Sequence, residues 1–94
     1  MKIKVLKSFN DKLNRQIEYI ARDKPHAARK FKAELLKRVK EIPLMPHKNR
    51  KSIFFDRNDI RDLIYKGYIV VYKINQAEHS IEVFGFTKFE NNPS

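Results

Sequence analysis

The chain opens with polar and apolar residues in alternation, Lys2-Ile3-Lys4-Val5, the period of a short, half-buried strand over residues 2–6. The period then changes. Phe9, Leu13, Ile17 and Ile20 recur at steps of four and three, which predicts one apolar stripe on a helix, with Ser8 as its N-cap and Asp11 in its first turn. Arg22-Asp23-Lys24 interrupts the stripe, and Pro25 suits the first position of a second helix. There Ala28, Phe31, Leu35, Val39 and Ile42 share one face. Two amphipathic helices joined by so short a break are expected to fold back as a hairpin. Pro43 and Pro46 end the second helix and open a loop that runs to Lys51.

Beyond Ser52 the pattern belongs to strands. Ser52–Phe55 is expected to be a short strand that pairs across the turn Asp56-Arg57-Asn58-Asp59 with a second strand, Ile60–Lys66, anchored by Leu63 and Tyr65. Gly67 permits a tight turn into Tyr68–Ile74, whose nearly unbroken apolar run marks a central strand. After a turn at 75–79, Ser80–Thr87 sets Ile81, Val83 and Gly85 against Glu82, Phe84 and Phe86. Phe89–Ser94 is expected to form a tail. The element order is thus strand, helix, helix, short strand and three strands. It predicts an α+β fold in which an N-terminal strand and a helical hairpin precede an antiparallel β-meander packed on the helices.

At 94 residues and 11.3 kDa the chain is expected to form a single domain, 1–94. The absence of cysteine excludes a disulfide framework, a zinc ribbon and a thiol nucleophile. The longest apolar run, Tyr68-Ile69-Val70-Val71-Tyr72, is too short to span a bilayer, and lysines break the N-terminal segment too often for a signal peptide. A cytoplasmic protein without a membrane partner is expected.

Charge changes the picture more than composition does. The formal net charge is +10, and it is unevenly placed: residues 22–51 carry eleven basic and three acidic groups, whereas residues 52–94 carry five and six. Such a segment favours a polyanion or a strongly acidic protein as partner. His26, His47 and His79 fall in separate elements without ligand spacing, so no metal is expected. Asp56, Asp59 and Asp62 straddle a turn and enter a strand, which points to turn and surface roles rather than to a carboxylate cluster. With glycine only at 67 and 85 there is no phosphate loop, and no cofactor or small-molecule substrate is implied. Lys48, Arg50, Lys51, Arg57, Arg61 and Lys88 are the candidates for binding a target or nucleic acid. A metal-free nuclease could draw on the same cations to neutralise a phosphate.

The helix opening Pro25-His26-Ala27-Ala28, the strand Ile60-Arg61-Asp62-Leu63 and the hairpin Gly67-Tyr68-Ile69-Val70-Val71-Tyr72 occur in an order that resembles the RelE/ParE superfamily of toxins from bacterial type II toxin–antitoxin modules. The resemblance covers nearly the whole chain. It implies an antiparallel sheet cradling a helical hairpin, toxicity to the cell, and a cognate antitoxin that neutralises it. RelE-like members cut mRNA on the ribosome, and ParE-like members inhibit DNA gyrase. The arginine that RelE-like nucleases place in this hairpin is Ile69 here, no tyrosine follows Tyr72, and Phe89 stands where they carry a basic residue after Lys88. An apolar Ile69 cannot stabilise a phosphate transition state, a contact typically worth about 2.7–4 kcal/mol.

The leading expectation is therefore a ParE-like toxin that binds its target, with no catalytic residues. The alternatives are a ribonuclease using Arg61, Lys88 and Lys51, or a basic nucleic-acid-binding module without toxicity.

Overall fold

The structure, a computed structural model, describes residues 1–89. Strand β1 (Lys2–Val5) is followed by helices α1 (Lys7–Ala21) and α2 (Pro25–Lys40) and a 3-10 turn at Ile42–Leu44. Strands β2 (Arg50–Lys51), β3 (Ile60–Tyr65), β4 (Tyr68–Asn75) and β5 (Ser80–Lys88) complete the chain, and the sheet order is β1-β5-β4-β3-β2. The α+β class and element order follow the reading of the sequence. From residue 90 on, the expected tail lies outside the described residues.

The sheet is mixed rather than wholly antiparallel. β1 pairs in parallel with β5, and the hairpin carries the chain from one to the other side of the layer before the antiparallel β2–β5 run begins. One sheet face carries the helices. Leu63, Tyr65, Val70, Tyr72, Ile81, Val83 and Phe86 pack there against Phe9 and Leu13 of α1 and Leu35 and Val39 of α2. The opposite face holds a smaller cluster of Ile60, Ile69 and Val71, with Phe84 and Phe89 partly buried against it.

Several local expectations need correction. α1 begins at Lys7 with Leu6 as its cap and no side-chain cap, so Ser8 is helical; its hydroxyl donates instead to the Phe84 carbonyl at 2.8 Å. The expected strand at Ser52–Phe55 is displaced to Arg50–Lys51, which pair with Asp62 and Arg61. Residues 53–55 then leave the sheet, because the Asp62 carboxylate captures the Ile53 amide at 3.0 Å. At the β3–β4 hairpin both Lys66 (φ 46°) and Gly67 (φ 82°) are left-handed, the geometry whose twist matches the flanking strands.

The simple alternation along β5 fails at a β-bulge. Val71 pairs with Gly85 and Tyr72 with Val83, leaving Phe84 as the extra residue. Phe84 and Gly85 consequently share the open face, and Phe86 returns to the helix side with Ile81 and Val83. A side chain at 85 is crowded: its Cβ would lie 3.0 Å from Val71 Cβ and 3.2 Å from Val71 Cγ2, so Val71 would have to give way by a few tenths of an ångström. Gly85→Ala is expected to cost about 1–3 kcal/mol by overpacking. In thermal melts that cost should shrink when Val71→Ala is present, and strictly additive losses would argue against the contact.

Candidate functional site

The basic loop after α2 is tied down from beneath. The buried Tyr72 hydroxyl donates to the Pro46 carbonyl at 2.6 Å and accepts from Asn49 Nδ2 at 3.1 Å. Burial pushes the Tyr72 phenol above its ordinary pKa, so it remains a neutral donor at physiological pH. Arg61 projects on the helix side of β3 beside Tyr72, its cross-strand partner. Its guanidinium donates to the Asn49 carbonyl at 3.1 Å, the Asn58 carbonyl at 3.0 Å and Asn58 Oδ1 at 2.7 Å. Arg61 pairs with neither Asp59 nor Asp62, which are held by Arg57 and Arg50. Arg61 instead clamps the loops on either side of β2.

The other cations do not converge on one point. Lys51 Nζ lies 2.8 Å from Asp56, and Arg57 holds both oxygens of Asp59 in a fork at 2.9 and 2.7 Å. The Lys51 hydrogen bond lowers the Asp56 pKa, and the Arg57 hydrogen bond lowers that of Asp59. Arg50 sits 3.5 Å from Asp62, with its guanidinium 5.6 Å from the Phe89 ring centroid. Lys48 is exposed and lines a cleft with Arg38, Leu44, Met45 and Asn49. Lys88 is exposed at the end of β5 and borders a cleft with Ile53, Phe54, Ile69 and Phe89. The three aspartates are thus held by three different partners. Asp62 departs from the surface role expected of it, being 1% exposed.

Ile69, at the hairpin position where an arginine was sought, is 1% exposed within the open-face cluster. His26, His47 and His79 are all exposed and lie in separate parts of the fold. Among the described residues no three His, Cys, Asp or Glu side chains gather where a metal ion could be held. No described helix is long and apolar enough to cross a membrane.

Reading the sequence missed the most distinctive surface of the molecule. Ile53, Phe54 and Phe55 expose 59%, 52% and 40% of their area, forming an apolar tip between Lys51 and Arg57. Two bonds shape it: the Ile53 amide to Asp62 and the Phe54 amide to Ser52 Oγ at 3.1 Å. Phe55 meets Phe84 edge to face at 5.9 Å, seating the tip against the open face of the sheet. Leu44 and Met45 are likewise exposed on the other side of the basic loop. The signal was present as three large apolar residues between a polar loop and a turn, but the turn at 56–59 favoured a short strand pairing across it. Apolar surface fringed by cations is the make-up of a protein-docking surface, with an apolar centre and a polar rim.

The sequence profile described as "ParE toxin of type II toxin-antitoxin system, parDE" matches residues 3–88. No curated protein matches the chain by sequence. Among solved structures, a chain of the "Chromosomal ParDE TA system from P. aeruginosa" superposes with a TM-score of 0.79 at 13% identity, covering 96% of this chain and 97% of that one. At that identity the likeness is one of fold.

Proposed function

This chain belongs to the ParE toxin family of type II toxin–antitoxin systems, and on that premise we propose that it arrests growth by docking on a protein target and not by cutting RNA. The observation that carries this reading is the solvent-facing tip Ile53-Phe54-Phe55 beside Lys51, Arg57 and Lys88. Aromatic residues flanked by cations supply binding energy to a protein partner. The proposed target is DNA gyrase, as the resemblance to ParE-like toxins implies, reached in the cytoplasm. A cognate antitoxin neutralises the toxin through an acidic, amphipathic segment that covers apolar surface along the sheet and the hairpin. The ribonuclease alternative draws no support from the geometry, because Arg61 is occupied by three internal acceptors and Lys51 by Asp56.

Inducible expression in a bacterial host, with pulse-labelling of DNA and protein synthesis within minutes, tests the proposal. DNA synthesis is expected to fall first. An earlier fall in protein synthesis with cleaved mRNA would overturn the reading. Loss of that cleavage in Arg61→Ala or Lys88→Ala would then reinstate the ribonuclease set.

A further inference from the structure

The outward side of α2 carries a second surface that the toxin reading does not use. At 100° per residue, His26, Arg29, Lys30, Ala33, Lys37 and Lys40 fall within one sector of the helix, opposite the buried Ala28, Leu35 and Val39. All six are exposed. The single acid within α2, Glu34, lies outside this sector and turns to the sheet, accepting from Tyr65 at 2.6 Å and Lys66 at 3.3 Å. Glu41, at the C-cap, is the nearest other carboxylate in sequence, yet it forms no ion pair with the ridge. Arg29, Lys30, Lys37 and Lys40 have no carboxylate within 4.0 Å among the described residues. Among the described residues Arg29 reaches only the ring of His26, at 2.8 Å. The exposed side of α1 differs, since Asp11 and Glu18 stand among its cations.

We infer that this ridge binds the phosphate backbone of a nucleic-acid duplex without reading its sequence. Three features choose that partner over others. Ala33 is the only apolar side chain in the sector, so a protein partner would find no apolar centre to bury. The sector contains no phenylalanine or tyrosine on which unpaired bases could stack, which disfavours a single strand. The cations lie along a rigid helix for roughly 16 Å at ~1.5 Å rise per residue, a span that meets several phosphates at about 3.4 Å of duplex axis per phosphate of one strand. The ridge shares no residue with the apolar tip or the basic loop, so the inference goes beyond the toxin reading.

Fluorescence anisotropy with the full chain and labelled 20-base-pair duplexes of DNA and of RNA, each in two unrelated sequences, tests it. Four phosphate contacts on DNA predict a slope of log K against log salt near −3.6, or roughly 150-fold weaker binding at 200 mM than at 50 mM. Lys37→Gln should flatten the slope by about 0.9. The quadruple variant Arg29→Gln/Lys30→Gln/Lys37→Gln/Lys40→Gln should lose nearly all binding; glutamine keeps helix propensity, and circular dichroism verifies the fold. Binding of either duplex, or both, through the ridge upholds the inference, and a preference between DNA and RNA names the source. The inference is overturned if the quadruple variant binds like its parent, if neither duplex binds at 50 mM salt, or if polyglutamate competes as well as duplex does. Growth arrest plays no part in this readout, so it can fail while the toxin reading stands.

Discussion

Replacing Phe54 and Phe55 together with serine is expected to abolish growth arrest while leaving a folded protein. Each ring is about half exposed, at 52% and 40%, so little core packing is lost. The edge-to-face contact of Phe55 with Phe84 is the main internal contribution, worth about 0.5–1.5 kcal/mol. A shift of that size lowers the melting temperature by several degrees in a domain of this length. Binding stands to lose far more, because a buried aromatic anchor at an interface typically carries about 2–4 kcal/mol. A fall in affinity of at least about 100-fold for the target follows, even when the two rings do not act additively. Titration calorimetry against gyrase and against the cognate antitoxin separates the partners. Loss of antitoxin binding with growth arrest intact would assign the tip to neutralisation alone. Unchanged binding to both would remove the tip from the functional site.

Much of this architecture was legible because it rests on local rules. Pro25 after Arg22-Asp23-Lys24 marks the start of α2, and the apolar steps from Ala28 to Val39 define its buried stripe. The left-handed Lys66-Gly67 turn places the apolar run of β4 beside β3. What escaped the sequence depends on contacts between distant residues. The bulge at Phe84 depends on a partner strand and on Ser8 of α1, which donates to its carbonyl across a separation of 76 residues. With no bulge visible, Phe86 was assigned to the wrong face.

The candidate site was legible by charge and not by geometry. Charge singles out Arg61 as a candidate, yet sequence does not show that Asn49 and Asn58 surround it with acceptors. Likewise Asp56, Asp59 and Asp62 look equivalent in the chain. A two-residue strand at Arg50–Lys51 makes the difference: it buries Asp62 beneath the loop and leaves the side chain of Asp56 fully exposed.

That buried aspartate yields the second large effect. Asp62 Oδ2 accepts the Ile53 amide at 3.0 Å and lies 3.5 Å from Arg50, while Oδ1 has no hydrogen-bond partner among the described residues. The carboxylate is thus the peg that turns the chain out of β2 and presents the apolar tip. Asp62→Ala leaves the Ile53 N–H without its acceptor, at a cost of about 1–3 kcal/mol. At ~4–8 °C per kcal/mol the melting temperature should fall by roughly 5–20 °C. Hydrogen exchange at the Ile53 amide should rise even under conditions where the core remains protected. Asp62→Asn distinguishes the two possible anchors, since it keeps a carbonyl acceptor for Ile53 but removes the charge facing Arg50. Because the Arg50 side chain is 37% exposed and the ion pair is long, its share of the stabilisation is small. Asp62→Asn should therefore recover most of the stability, the slow Ile53 exchange and the toxicity lost in Asp62→Ala. If asparagine proves as damaging as alanine, the tip is held by the charge on Arg50, and binding through Phe54 and Phe55 would weaken with added salt as that pair is screened.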